Sequence, residues 1–132
     1  MNRKYAFSPT LLPVLLAACA CALAKAQAQE TAQPAAPEAH ILIERGKALL
    51  GQYQCGACHT IPGVPIARGT VAQPLAAWAQ RSYIAGRLPN TPAMLAQWIT
   101  APQALIPGTA MPSMGVSAQD AQAMATYLFS LQ

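Results

Sequence analysis

Charge is scarce in this sequence. Lys, Arg, Asp and Glu together make up 9% of 132 residues, while 54% are hydrophobic. Four carboxylates and two histidines leave little material for acid–base catalysis. The formal charge of +4 is also misleading, because Arg3, Lys4 and Lys25 sit in the N-terminal segment. From Gln27 onward, Arg45, Lys47, Arg68, Arg81 and Arg87 stand against Glu30, Glu38, Glu44 and Asp120, five to four, a net +1. No basic stripe with interleaved aromatics is present, which speaks against a nucleic-acid partner. Alternating strand patterns of useful length and internal repeats are lacking too. Much of the apolar content is alanine, which fills helices without building a large core.

The N-terminus reads as an export signal. Asn2-Arg3-Lys4 supplies the positive end, and Ala6 to Ala24 is small and apolar, broken by Pro9 and Pro13. Small residues at Ala24 and Ala26, or at Ala26 and Ala28, fit the A-x-A cleavage rule. The apolar stretch is too short and too proline-broken for a comfortable membrane span. A second reading stays open: Leu16-Ala17-Ala18-Cys19 resembles a lipoprotein box, with Cys19 as lipidated first residue. The division expected is a signal over 1–28, a tether over 29–39 and one domain over 40–132. The tether, rich in Ala, Pro, Gln and Glu, offers too little apolar surface to offset its ordering entropy.

Within the domain the pattern predicts helices joined by proline-rich loops. Ile41, Leu42, Leu49, Leu50 and Tyr53 suit an amphipathic helix to Gln54. Gly46 and Gly51 weaken it by about 1 kcal/mol each relative to Ala, and fit best where another helix crosses closely. Prolines and glycines between Thr60 and Gln73 describe a loop. A short helix is expected over Leu75 to Ile84. Thr91-Pro92 opens another, with Thr as N-cap and Pro at the first helical position, running through Leu95, Trp98 and Ile99 to the residue before Pro102. Ser117 to Asp120 caps a last helix whose face carries Ala121, Met124, Ala125, Leu128 and Phe129.

Cys55-Gly56-Ala57-Cys58-His59 carries the chemistry. Two thiols three apart at the end of a helix can add to the two vinyl groups of one haem, and the adjacent imidazole then faces the iron. A zinc site would need further ligands, and beyond the N-terminal segment, which holds Cys19 and Cys21, the chain offers only His40. A thioredoxin-like pair would need a strand-helix context that is missing. The sixth iron position has candidates in Met94, Met111, Met114, Met124 and His40. Met124 lies on an apolar helix face, Met94 in a first helical turn, and His40 at the edge of the tether. Met111 is preferred, because its proline-flanked loop gives a rigid backbone to aim a thioether, and Met114 is the runner-up. A thioether favours reduced iron more than a second imidazole does.

These residues, with CGACHTIPG at 55–63, Arg81-Ser82-Tyr83-Ile84-Ala85-Gly86, Leu88-Pro89-Asn90-Thr91-Pro92, Trp98-Ile99, Pro102-Gln103, Pro107 to Pro112 and Ala125-Thr126-Tyr127-Leu128, resemble the class I cytochromes c over nearly all of 41–132. The likeness is closest to the domain fused to subunit II of certain bacterial haem-copper oxidases, although the membrane hairpin and copper ligands of that subunit are not present. The resemblance implies an all-α cytochrome c fold, three to five helices around one covalent haem c. It implies that the Pro74 carbonyl accepts from the second nitrogen of His59, with Gln73 standing where glycine is common. Arg81 matches an arginine that meets a haem propionate, with a solvated surface arginine as the competing reading. Tyr83 and Trp98 match positions near the propionates or haem wall, and buried core accounts for Trp98 equally well. Met111 matches the methionine ligand, and Gly46 and Tyr127 match the contact of crossing first and last helices.

The expected function is that of a periplasmic one-electron carrier rather than an enzyme, exchanging electrons with a terminal oxidase, a quinol-oxidising complex or a dehydrogenase. Membrane attachment is expected only through a lipidated Cys19 or an uncleaved signal. Two alternatives stand beside it: a haem subunit of a periplasmic dehydrogenase, and a haem sensor or weak peroxidase with a labile sixth ligand.

Overall fold

A computed structural model describes residues 36–132. The expected export signal, the Cys19 box and residues 29–35 of the expected tether lie outside the described residues. Four α-helices carry the domain: α1 Ala36–Gln52, α2 Pro92–Thr100, α3 Pro102–Leu105 and α4 Ala118–Phe129. Short 3-10 turns at Cys55–Ala57 and Trp78–Gln80 and a two-residue hairpin, β1 Tyr83–Ile84 with β2 Leu88–Pro89, lie between α1 and α2. None of the described helices is long and apolar enough to cross a membrane.

Helix α1 starts at Ala36, four residues before the expected domain boundary at His40. Its stripe is also narrower than expected. Leu42, Gly46, Leu49, Leu50 and Tyr53 fall at i, i+4, i+7, i+8 and i+11, one face of a 3.6-residue helix, and all five are buried or half-buried. Ile41 lies about 100° off that stripe and is 66% exposed.

Helix α4 packs against both α1 and α2, and the core gathers around it. Two partners require a wider buried face, so Ala123 and Tyr127 join Ala121, Met124, Ala125 and Leu128 inside, while Phe129 is only half-buried. Leu95, Trp98 and Ile99 come from α2, Leu49 and Leu50 from α1, and the core among the described residues contains no buried polar or charged side chain. At the α1–α4 crossing the backbones nearly touch. A Cβ added at Gly46 would lie 2.0 Å from the Ala123 carbonyl oxygen, so only glycine allows this approach. Gly51 differs from expectation. No helix crosses there, and an added Cβ would meet only the Ile66 and Val64 side chains at ordinary distance.

Both N-caps are made. The Thr91 hydroxyl accepts from the Met94 N–H at 3.2 Å with Pro92 at the first helical position, and the Ser117 hydroxyl accepts from the Asp120 N–H at 3.1 Å. Asp120 in turn takes Arg45 Nη2 at 2.6 Å and the Tyr53 hydroxyl at 3.1 Å, joining the start of α4 to α1.

The expected helix over 75–84 is absent. Ala77 adopts φ +48°, which interrupts any helix, and only the single turn Trp78–Gln80 follows. The chain then reverses through Ala85 and Gly86, both at positive φ, with the Arg87 N–H donating to the Ile84 carbonyl. Two successive positive φ values are what a type I′ hairpin turn demands. An alanine in the first of those positions left no turn signal to read.

Candidate functional site

The site is built on the chain reversal after α1. Gln54, at φ +55°, turns the backbone out of the helix. The next residues form one tight turn: Ala57 N–H donates to the Gln54 carbonyl, and both Cys58 and His59 N–H groups donate to the Cys55 carbonyl, at 3.3 and 3.1 Å. Cys55, Cys58 and His59 are thereby held on a single turn, each half-buried, with both thiols free. Burial pushes the Cys55 thiol pKa up, so it is no preformed thiolate.

A loop is stitched over this turn. The Gly69 N–H donates to the Gly56 carbonyl at 2.9 Å, the Ala72 N–H to the Cys58 carbonyl at 2.9 Å, and the Leu75 N–H to the Thr60 carbonyl at 2.9 Å. The Thr60 hydroxyl donates to the Gly69 carbonyl, and Thr60 and Arg68 form an antiparallel bridge. Gly56 permits this closeness, since a Cβ there would stand 2.3 Å from the Ala67 Cα. The far end of the loop is tied to α4, where the buried Tyr127 hydroxyl donates to the Pro62 carbonyl.

His59 Nδ1 lies 2.7 Å from the Gln73 carbonyl oxygen. A carbonyl only accepts, so the proton in this bond sits on Nδ1, and the Nε2 of the neutral ring keeps its lone pair for a metal. The acceptor expected at Pro74 is thus corrected by one residue. The Pro74 carbonyl is turned away and receives the Arg81 guanidinium instead.

Arg81 is no solvated surface residue. Its Nη2 also donates to the Ala76 carbonyl at 3.0 Å, and the guanidinium stacks 4.8 Å from the centroid of the Trp78 ring. Asn90 Nδ2 completes the cluster, donating to the Trp78 and Arg81 carbonyls at 3.0 and 2.9 Å. Two polar atoms there, Trp78 Nε1 and Asn90 Oδ1, are buried without any partner. Neither residue was singled out from the sequence. Their signal was slight, a second tryptophan three positions before Arg81 and an asparagine inside the LPNTP run.

The remaining site candidates separate by burial. Tyr83 is 61% exposed, because alternation along β1 turns Ile84 inward and Tyr83 outward. Trp98 is buried in the core face of α2. Met124 is wholly buried and Met94 half-buried against the core. Met111 is half-buried and packs on the core from the irregular loop before α4, while Met114 is 42% exposed. His40 is exposed on α1. Two shallow depressions, one lined by Gly51, Gln54, Gly56, Ala57 and Ile66, the other by Gly63, Val64, Pro65, Ala67 and Arg68, include none of Cys55, Cys58 or His59.

The sequence pattern of the family described as Cytochrome c matches residues 43–132, the whole domain from the middle of α1 to its end. This chain belongs to the cytochrome c family. No curated protein and no solved structure matches it. Membership, four helices and little strand give an all-α cytochrome c fold. The family implies covalently attached haem c, and Cys55-Gly56-Ala57-Cys58-His59 fits its CXXCH motif. The residues of this cytochrome c domain suit such a group. Two free thiols and an imidazole with a bare Nε2 share one turn, and the unpartnered Trp78 N–H beside Arg81 is a donor that a carboxylate would satisfy. Among the described residues no three His, Cys, Asp or Glu side chains gather into a metal cage of their own.

Proposed function

We propose that this cytochrome c is a one-electron carrier holding a single haem, joined by thioethers to Cys55 and Cys58, with His59 and Met111 as the protein's two iron ligands. When bound, the haem supplies a reversible one-electron couple. The chain's own residues do the rest. The Gln73 carbonyl holds the Nδ1 proton of His59, fixing the ring orientation and raising the basicity of Nε2. Trp78 Nε1 and the remaining Arg81 donors would hold a propionate, in a charge-assisted contact that also removes an orphaned donor. Met111 is half-buried in a proline-flanked loop and Met114 is more exposed, which supports Met111 as the ligand. With His59 and Met111 both given to the iron, the chain would leave no coordination site for a substrate, which favours carrying over catalysis.

The observation that carries this reading is the His59–Gln73 bond on the CXXCH turn, because it leaves the metal-facing nitrogen free. The export signal supports a periplasmic setting, and the likeness to oxidase-fused domains supports a terminal oxidase as acceptor. A quinol-oxidising complex or a dehydrogenase would be the donor.

A reduced-minus-oxidised spectrum with intact-mass measurement tests the proposal. We expect one haem per chain and thioether-type absorption. The weak red ferric band of a sulfur–iron bond should be lost in Met111→Ala and kept in Met114→Ala. A colourless protein with both thiols open to alkylation, after maturation in its own host, would overturn the reading.

A further inference from the structure

Between Gln73 and Asn90 the chain forms one 3-10 turn and a two-residue hairpin, so little regular structure holds its carbonyl groups. Four of those carbonyls, at Pro74, Ala76, Trp78 and Arg81, receive donors from just two side chains. Arg81 Nη2 donates to Pro74 and Ala76. Asn90 Nδ2 donates to Trp78 at 3.0 Å and to Arg81 at 2.9 Å, so one amide spans the turn from which the Arg81 side chain leaves. Both amide protons of Asn90 are thus spent on main chain. They also decide which way the amide points, since the opposite orientation would set an oxygen against two carbonyl oxygens. The residue is half-buried, and its own N–H donates to the Ser82 carbonyl at 3.0 Å, tying it to the start of the hairpin.

What this clamp holds reaches the histidine of the CXXCH turn. The Pro74–Leu75 peptide is gripped at both edges, its carbonyl by Arg81 and its N–H by the Thr60 carbonyl at 2.9 Å. The preceding peptide has no N–H to donate, because Pro74 lacks one. Its sole hydrogen-bonding group is the Gln73 carbonyl, which takes the His59 Nδ1 proton. Peptide groups are planar, so only φ and ψ of Pro74 turn one of these two against the other, and the ring locks φ at about −65°. One soft torsion is left. Fixing the second peptide therefore limits how far the Gln73 carbonyl can swing. Asn90 stands at the head of that line: it holds the turn, the turn aims Arg81, and Arg81 holds the Pro74 carbonyl.

We propose that Asn90 is a positioning residue for His59, acting through Arg81 and the Gln73–Pro74 peptide to set the direction of the imidazole. This rests on the carrier reading above. Asn90 is uncharged and contributes orientation alone. Holding the Gln73 carbonyl in place keeps the tautomer of His59 and the basicity of its Nε2 constant.

The test follows exchange of the His59 Nδ1 proton with solvent, by saturation-transfer NMR on the ferrous, haem-loaded protein. Asn90→Ala should speed this exchange roughly tenfold, and Asn90→Ser, which keeps one donor, by less. Ser117→Ala removes the cap of α4 and lowers stability elsewhere in the domain, and it should leave the rate at its native value. Arg81→Lys should speed exchange about as much as Asn90→Ala, and the double variant no more than either, since both act along one line. Should Asn90→Ala not mature, the Asn90→Ser rate decides. Native rates in the Asn90 variants, an equal rise in Ser117→Ala, or Asn90 and Arg81 effects that multiply in the double variant would overturn the positioning role alone and leave the carrier reading standing. A native protein that takes up no haem would overturn both.

Discussion

The helix crossing and the loop that covers the CXXCH turn share one core but are held in shape by different means. At the crossing, α1 meets α4 through apolar side chains and a glycine that lets the backbones touch, and its polar groups are paired at the rim through Ser117, Asp120, Arg45 and Tyr53. The loop also buries Ile61, Val64, Ala67 and Leu75 in the core. Its position over the turn is fixed by main-chain hydrogen bonds, and the chain on either side of it takes left-handed conformations at Gln54 and Ala77. Side-chain packing makes the first region a stable platform by itself. The second keeps its shape through the turn it encloses and through anchors to the platform.

The largest test of this contrast is at the crossing. Gly46→Ala should cost about 3 kcal/mol or more in urea unfolding, because the new methyl meets a backbone carbonyl that cannot swing aside. Next comes the anchor between the regions. Tyr127→Phe strands the Pro62 carbonyl and should cost about 1 kcal/mol, with faster amide exchange concentrated in 60–72. An equal rise in exchange throughout α1 and α4 would show that the regions are not distinct. Within the loop half the sign should reverse. Ala77→Gly, normally a destabilising change, should raise stability by up to about 1 kcal/mol by relieving a left-handed alanine.

The smallest effect is one of pH. The Ser117 hydroxyl first, and then Tyr53 and Arg45, hold the Asp120 carboxyl below its ordinary range. A carboxyl with a lowered folded pKa adds stability that is fully present above its unfolded value, near 4, and is lost as pH falls through the folded one. Mild acid below about pH 4 should therefore weaken the crossing, and Asp120→Asn should flatten that part of the pH–melting profile.

Residues whose side chains act were largely legible in the sequence. The CXXCH motif, the Thr91 and Ser117 caps and the Gly46 contact all depend on side-chain identity or its absence, and identity is what a sequence displays. Main-chain devices were not. The Gln73 carbonyl that orients His59, in place of that of Pro74, follows from where the loop runs, and any residue carries a carbonyl. The helix expected over 75–84 failed for a related reason: apolar residues there face the core from an irregular path, and Ala77 gives no warning of positive φ. Trp78 was overlooked because burial and a missing partner are properties of the folded chain.

The bond from His59 to a main-chain oxygen also bears on how such a protein can drift. Since residue 73 contributes only its peptide group, its side chain can be exchanged while the orientation of the His59 ring stays set. What selection must guard is the path of the chain from Ala72 through Pro74. A lengthened or shortened loop there would rotate the imidazole and retune the donor, even with every recognisable motif intact.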